Sequence, residues 1–401
     1  MDRMTSKERM LVACQNGMPD RVPVAPDISN MVPCRLTGKP FWDIYVSESP
    51  PLWRAYIEAV RYFGIDGWFI YGDLKFRKNT RLEILPAIVE KSSDRWTVKK
   101  TYRTPDGYLT ETIVNPASNP PTLTEKMIKN FKEDFCKIRH LYSGVEGYDD
   151  ELFKCQSREL GELGMMCVSL EVPGLQCYSG LFDGSLEAAT FAYYDEPELF
   201  EEIRILQHKQ TVRMAELAIE AGVESILIGA SGSITLQSPG IWRELSLPTI
   251  QKVSKMCQEA GVISGIHSCG KERYLLETCA YETDIDYVNP LEIPPMGDCN
   301  LAECNASFGS RIALMGNLHT TSVMLFGSAD DVRRESLKAI LVAGTKGGFV
   351  LSTGDQCGRD TPDENIRAMV TAAEEFGDYP LDIDKIKAEI VRLECRTEVV
   401  P

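Results

Sequence analysis

Short apolar runs alternate with amphipathic stretches along most of the chain. Several of these runs are apolar at successive positions rather than at every second one, which is typical of strands buried on both faces of a parallel sheet. The pattern predicts eight strands, at residues 21–28, 67–71, 165–172, 225–230, 262–269, 287–292, 312–317 and 348–354.

Helical periodicity lies between the predicted strands. The clearest helix is predicted at 362–376, with Thr361 and Glu364 as a capping box and Gly377 at its end. The other helices are predicted at about 329–343 (capped by Ser328 and ended by Gly344), within 190–221 and within 241–260. Eight strands alternating with helices favour an α/β fold, a (β/α)8 TIM barrel with an N-terminal extension; an open doubly wound sheet is the alternative.

One region departs from the alternation. Residues 81–114 read as a β-hairpin with its turn at Pro105-Asp106-Gly107, and residues 115–160 are polar. We therefore expect a single TIM-barrel domain over residues 1–401, with a β-hairpin and helical insertion at 75–160 near the mouth of the barrel.

Composition narrows the class of protein. The chain has 401 residues, 43% of them hydrophobic, and a formal net charge of -16, which argues against global disorder. We find no basic stripe for nucleic acid, no apolar run long enough for a membrane span and no signal-peptide layout. These features predict a cytoplasmic protein, and in that compartment the 13 cysteines are expected to be reduced thiols.

The candidate chemistry centres on His267 and Cys269. They lie two positions apart in a predicted strand, so they point to the same side, at the carboxyl end where TIM-barrel active sites are found. An imidazole beside a thiolate is a good zinc ligand pair. A buried histidine next to a buried cysteine, without a metal, is the alternative.

Two further residues follow other predicted strands on the same rim. Glu292 ends the strand after that of His267, and Cys357 follows the last strand. With His267 and Cys269 they would form a His-Cys-Glu-Cys zinc set carrying three negative charges against two positive ones. Such an electron-rich zinc suits thiolate binding or ligand exchange better than hydroxide generation. A hydrogen-bonded acid and a structural cysteine are the alternatives.

Several segments together resemble a known family, the uroporphyrinogen decarboxylase superfamily, and within it the cobamide-dependent methyltransferase branch. The resemblance covers nearly the whole chain and is strongest from His267 to the end. The segments that carry it are Thr5-Ser6-Lys7-Glu8-Arg9, Pro19-Asp20-Arg21-Val22-Pro23-Val24, Ser238-Pro239, His267-Ser268-Cys269-Gly270, Asn289-Pro290-Leu291-Glu292, Met315-Gly316-Asn317 and Asp360-Thr361-Pro362-Asp363-Glu364-Asn365.

The branch determines the function that the resemblance implies. Decarboxylases of the superfamily hold their polycarboxylate substrate with an arginine-rich segment after the first strand, whereas residues 27–31 contain no arginine. His267, Cys269 and Cys357 match the zinc ligands of the methyltransferase branch, and Glu292 matches a displaceable fourth ligand. The resemblance thus implies zinc and methyl transfer with a cobamide. The Asp-x-His-x-x-Gly signature of corrinoid modules is absent, so the cobamide is expected on a small partner protein.

The substrate and the direction of transfer stay open. The insertion and the aromatic residues Trp68, Tyr71 and Tyr178 favour demethylation of a small methylated compound, such as a methoxylated aromatic in an O-demethylase reaction. A methylcorrinoid:thiol methyltransferase of the coenzyme M type, a uroporphyrinogen decarboxylase-like enzyme and a binding protein without activity are the alternatives. Analogy suggests a homodimer. The predicted substrate-binding residues are Glu171, Asn289, Asn317 and Tyr178.

Overall fold

The computed structural model describes residues 3–79, 81–229 and 231–397. Within these ranges the strands are β1 (Gly67–Gly72), β2 (Arg77–Lys78), β3 (Glu83–Lys91), β4 (Arg95–Thr104), β5 (Gly107–Pro116), β6 (Thr122–Glu125), β7 (Val145–Gly147), β8 (Gly164–Leu170), β9 (Ser225–Ile228), β10 (Ile263–His267), β11 (Tyr287–Asn289), β12 (Ala313–Leu318) and β13 (Phe349–Thr353).

Helices flank these strands. In chain order they are α1 (Ser6–Cys14), α2 (Met31–Leu36), α3 (Phe41–Tyr45), α4 (Leu52–Phe63), α5 (Phe131–Ile138), α6 (Glu151–Leu160), α7 (Leu175–Tyr178), α8 (Ser185–Asp195), α9 (Pro197–Glu220), α10 (Pro239–Leu245), α11 (Leu247–Ala260), α12 (Arg273–Glu282), α13 (Leu301–Phe308), α14 (Ala329–Ala343), α15 (Asp363–Phe376) and α16 (Ile383–Thr397). No helix among the described residues combines the length and the apolar character that crossing a membrane requires.

Seven parallel strands form a curled sheet in the order β1-β8-β9-β10-β11-β12-β13. The predicted first strand, 21–28, fills the gap between the two ends of this sheet without becoming a regular strand. On one side the Ala25 N–H donates to the Leu351 carbonyl at 2.9 Å, and on the other the Asp66 N–H donates to the Val24 carbonyl at 2.8 Å. The predicted TIM-barrel fold is therefore confirmed.

Buried ionic and hydrogen-bond contacts of Asp66 hold the segment of Val24 against the first strand of the sheet. The residue has no exposed surface and lies directly before β1. Its carboxylate accepts hydrogen bonds from Arg9 Nη1 at 2.5 Å and from the Val24 N–H at 2.9 Å, and it lies 3.2 Å from Arg21 Nη1. One buried carboxylate thus ties α1 and the segment of Val24 to the first regular strand of the barrel.

The insertion is more elaborate than the predicted hairpin. Strands β3, β4, β5 and β6 form an antiparallel sheet, and the β4–β5 turn falls at the predicted place, with Thr104 paired to Gly107. The insertion contacts two loops that follow barrel strands: Arg359 donates to the Ser118 carbonyl at 2.8 Å, and Lys126 donates to the Ser179 carbonyl at 2.7 Å.

Local signals predict most element positions but not every boundary. Seven of the eight predicted strands coincide with barrel strands, and the segment 21–28 is the exception. Ala230, predicted to end one of the seven, lies outside the described residues. The helix predicted within 190–221 is two helices, α8 and α9, because Pro197 starts a new one. The helix predicted within 241–260 is likewise divided into α10 and α11. The capping box predicted for α15 is wrong, since Pro362 is the N-cap and no side chain caps the helix.

Candidate active site

A cavity of about 290 Å³ lies at the carboxyl ends of the barrel strands. Its lining comes from segments far apart in sequence and includes Asp27, Trp68, Ser231, His267 and Asp355. The strand order explains this convergence, because the carboxyl ends of parallel strands meet at one rim of a barrel. The cavity is therefore the candidate active site.

Three potential metal ligands meet beside this cavity, and two of them, His267 and Asp355, line it. His267, Cys269 and Asp355 each offer one ligand atom, and these three atoms lie within 4.8 Å of one another. Among the described residues, this is the one group of three or more histidine, cysteine or acidic side chains close enough to hold a metal ion together. Imidazole nitrogen, thiolate sulfur and carboxylate oxygen are all zinc ligands.

The imidazole of His267 is oriented by its neighbours. His267 is the last residue of β10 and pairs in register with Asn289, the last residue of β11. Its Nδ1 lies 2.7 Å from Asn289 Oδ1, and its Nε2 lies 3.4 Å from Ser231 Oγ. Because an amide oxygen only accepts hydrogen bonds, this contact assigns the proton to Nδ1 and leaves Nε2 unprotonated, able to accept from the Ser231 hydroxyl or to bind a metal.

Electrostatics at the group favour a bound cation. Burial raises the pKa of the Cys269 thiol to about 11, and nearby carboxylates, Asp355 first, add to the shift. Burial also raises the pKa of Asp355, and the neighbouring Asp27 carboxylate adds to that shift. Without a cation the thiol is neutral at pH 7, which argues against a nucleophilic thiolate. A divalent metal would stabilise both anions.

Cys357 and Glu292 lie outside the three-residue group. Cys357 has no exposed surface, its N–H donates to the Asp27 carbonyl at 2.8 Å, and burial raises its pKa to about 12. Glu292 is 8% exposed and accepts a hydrogen bond from the Gly270 N–H; burial raises its pKa. The structure thus brings His267, Cys269 and Asp355 together, and the predicted roles of Cys357 and Glu292 as zinc ligands stay predictions.

The predicted substrate-binding residues are dispersed. Asn289 is fully buried against His267, whereas Asn317 borders a different cavity of about 270 Å³. Glu171 follows β8 at the surface and accepts from the Cys177 thiol at 3.4 Å. Tyr178 is buried in a separate aromatic cluster, 5.2 Å from Phe200 between ring centroids.

The aromatic residues predicted to line a pocket also separate. Trp68 borders the cavity, with its ring centroid 6.2 Å from that of His267. Tyr71 packs edge-on against Phe69 and belongs to the core around the barrel. Of these aromatic side chains, Trp68 is the one placed to contact a substrate.

Sequence reasoning missed three residues of the site: Asp27, Ser231 and Asp355. Asp355 lies two positions before Cys357, and the sequence pattern predicted the cysteine of this segment, rather than the aspartate, as the zinc ligand. A signal was present, since Asp355 follows the end of β13 by two residues and Asp27 is the last but one residue of the predicted first strand. Polar residues at strand ends are candidates wherever a barrel is predicted.

Comparisons with known proteins agree with this fold. Residues 183–376 match the family model described as Uroporphyrinogen decarboxylase (URO-D). A solved methyltransferase from Methanosarcina mazei superposes with a TM-score of 0.63 at 16% sequence identity, over 93% of this chain and 99% of that chain. A sugar phosphate isomerase/epimerase from Parabacteroides distasonis reaches a TM-score of only 0.31 at 14% identity, over 57% of this chain and 76% of that one, and supports no inference. No curated protein matches the sequence.

Proposed function

We propose that the protein is a zinc-dependent methyltransferase that acts with a separate corrinoid protein; the match of residues 183–376 to the family model described as Uroporphyrinogen decarboxylase (URO-D) supports this proposal. It moves a methyl group between a small methylated substrate and the cobalt of that partner's cobamide. The observation that carries the proposal is the convergence of His267, Cys269 and Asp355 at the cavity.

The donor set fits zinc. It offers one imidazole nitrogen, one sulfur and one carboxylate oxygen, and a site with three protein ligands leaves a position for a substrate atom. The thiolate and the carboxylate balance the two charges of the ion, whereas the His-Cys-Glu-Cys set expected from the sequence carries one more negative charge. A bound zinc with these ligands would supply Lewis acidity toward a substrate heteroatom.

The rest of the site positions and encloses the substrate. Asn289 fixes the tautomer and the ring plane of His267, as outer hydrogen-bond partners of metal ligands commonly do. Trp68, Ile70 and Leu227 give the cavity an apolar wall. These side chains hold a small methyl donor in a defined orientation, which is the main requirement of an in-line transfer.

Cavity size supports a cobamide that stays on a partner. A volume of about 290 Å³ is at the lower end of small-molecule sites. It accommodates a small methylated compound but not a corrin macrocycle as well. The cobamide must therefore approach from outside the cavity, through the mouth of the barrel.

Cavity charge disfavours the alternative of porphyrinogen decarboxylation. Asp27 and Asp355 border the cavity, and none of its described lining residues is lysine or arginine. A tetrapyrrole with many carboxylates would meet like charges and find no bidentate cationic partner. Methyl transfer from a small donor fits this lining better.

Zinc content tests the metal part of the proposal. We expect about one zinc per chain after purification under reducing conditions without chelator. His267→Ala, Cys269→Ser and Asp355→Asn should lower the zinc content strongly, whereas Cys357→Ser, the matched control, should retain it. Loss of zinc in Cys357→Ser with retention in Asp355→Asn would restore the ligand set expected from the sequence. A zinc-free wild-type protein would contradict the metal site.

A methyl-transfer assay tests the reaction. A panel of methyl ethers, methylamines and methyl thioethers is incubated with the protein and a reduced corrinoid carrier, and cobalt methylation is followed by absorbance. The reverse assay supplies a methylated carrier and thiols such as coenzyme M. Turnover without any corrinoid carrier would refute the partner, and no transfer in either direction would refute the function.

A further inference from the structure

The cavity contains a buried carboxylate without a counter-ion. Asp27 is 5% exposed and borders the cavity. Its Oδ1 accepts the Ser29 N–H at 2.9 Å, but Oδ2 has no hydrogen-bond or ion-pair partner among the described residues. Because no cationic side chain in the described part of the chain pairs with this carboxylate, Oδ2 is available to a cationic ligand in the cavity.

The cavity stays negative whether or not a metal is bound. Without an ion, Asp27 and Asp355 contribute two carboxylates, and the described lining residues include no lysine or arginine. With a zinc ion bound, Cys269 and Asp355 balance its charge, and the carboxylate of Asp27 remains. This carboxylate repels an anionic substrate and offers a neutral one a hydrogen bond at most, whereas it attracts a cation in both states.

An aromatic side chain completes the arrangement. Trp68 is 3% exposed, and its Nε1 donates to the Tyr287 hydroxyl at 2.9 Å, which fixes the indole at the edge of the cavity. Ile70 and Leu227 add apolar surface. Aromatic rings together with carboxylates recognise quaternary ammonium groups, which are cationic but carry only weakly hydrated methyl surface.

We propose that the methyl donor is a small quaternary methylammonium compound, held by Asp27 and Trp68. This inference rests on the proposed methyltransferase function and specifies its substrate class. In the transfer, the C–N bond breaks and its electron pair stays on nitrogen, so the cation becomes a neutral tertiary amine. The reduced corrinoid of the partner supplies the electron pair of the new bond to the methyl carbon. No proton, oxidant or further reductant is consumed.

Binding of a charged probe and of its neutral isostere provides the test. Choline and 3,3-dimethylbutan-1-ol have nearly the same shape and differ in the charge of the quaternary centre. Isothermal titration calorimetry on the zinc-loaded full chain should show choline binding at least about ten-fold more tightly. Asp27→Asn should abolish this preference, and Trp68→Leu should weaken choline binding by about ten-fold. Glu187→Gln, which removes an exposed carboxylate from α8, is the charge-matched control and should bind like wild type.

The outcomes separate this inference from the function on which it rests. Equal binding of the two probes, or a choline preference unchanged in Asp27→Asn, overturns the inference. If Asp27→Asn does not fold, judged by circular dichroism, Trp68→Phe and Trp68→Leu decide the matter through the same preference. Cobalt methylation from a methyl ether but not from any quaternary ammonium compound leaves the function intact and refutes the substrate class. Selective choline binding without any methyl transfer refutes the function instead.

Discussion

Asp66→Ala tests how the barrel is closed. The change removes the carboxylate that contacts Arg9, Arg21 and the Val24 N–H, and leaves buried guanidinium groups without their shared partner. Removing one member of a buried ion pair typically costs about 3–5 kcal/mol. Arg9 keeps a second carboxylate, Asp20, at 2.7 Å from its Nε, which places the expected loss toward the lower end of that range.

The expected loss translates into a measurable shift in melting temperature. Unfolding entropy is about 2.1 cal/mol/K per residue, so a loss of about 3 kcal/mol should lower the melting temperature of a 401-residue chain that melts as one unit by about 4 °C. Differential scanning calorimetry measures the shift. Asp66→Asn, which keeps an acceptor for the Val24 N–H, should fall between the alanine variant and wild type.

A surface carboxylate serves as the control for this experiment. Glu58 pairs with Arg61 one helical turn away, and its side chain is 66% exposed. Exposed pairs of this kind contribute about 0–1 kcal/mol, so Glu58→Ala should shift the melting temperature by about 1 °C or less. An Asp66→Ala shift no larger than that of Glu58→Ala would refute the view that Asp66 fastens the barrel.

Two further predictions concern the C-terminal helix and the candidate zinc site. Hydrogen bonds from Arg392 and Arg333 lower the pKa of Glu389 from 4.5 to about 2. The stabilisation is therefore complete above the unfolded pKa and is lost as the pH falls through about 2. Glu389→Gln should lower the free energy of unfolding by about 1–2 kcal/mol at pH 7, after allowance for solvent screening. Urea titrations should show this difference from wild type disappearing as the pH falls from 4.5 to 2. A difference in unfolding free energy that does not depend on pH would contradict the ion pairing of Glu389. Asn289→Ala removes the acceptor for His267 Nδ1 and should weaken zinc binding by about ten-fold or more in a chelator competition assay. Asn305→Ala, whose side chain bonds the Val342 carbonyl far from the cavity, is the control, and equal zinc affinities in the two variants would argue against the orienting role.

Strand positions were predictable because their cause is local. A strand buried on both faces needs apolar residues at successive positions, and the segments around Phe69, Ile226 and Leu314 show that pattern regardless of what packs on them. The divided helices carried a local signal too, since Pro197 favours the first position of a new helix. The prediction of one helix within 190–221 followed the helical periodicity of the whole stretch and did not take account of Pro197 as a helix start.

The pairing of His267 with Cys269 was also within reach of the sequence. They lie two positions apart, a spacing that places both side chains on one side of a strand. In the structure β10 ends at His267 and Cys269 lies just beyond it, and their ligand atoms still lie within 4.8 Å of each other. The role of Asn289 beside His267 was not deducible in the same way. It depends on the register between β10 and β11, which no local pattern encodes.

The sequence by itself determined the strand–helix order and the His267–Cys269 pair, because both follow from backbone periodicity over a few residues. Only the tertiary structure brought Asp355 within 4.8 Å of the ligand atoms of that pair. The Cys357 N–H bonds the carbonyl of Asp27, 330 positions away along the chain, and the thiol is buried in the core while Asp355 joins the potential ligand group at the cavity. A contact between such distant segments exists only once the barrel has closed, so no reading of the 354–358 loop alone could reveal it.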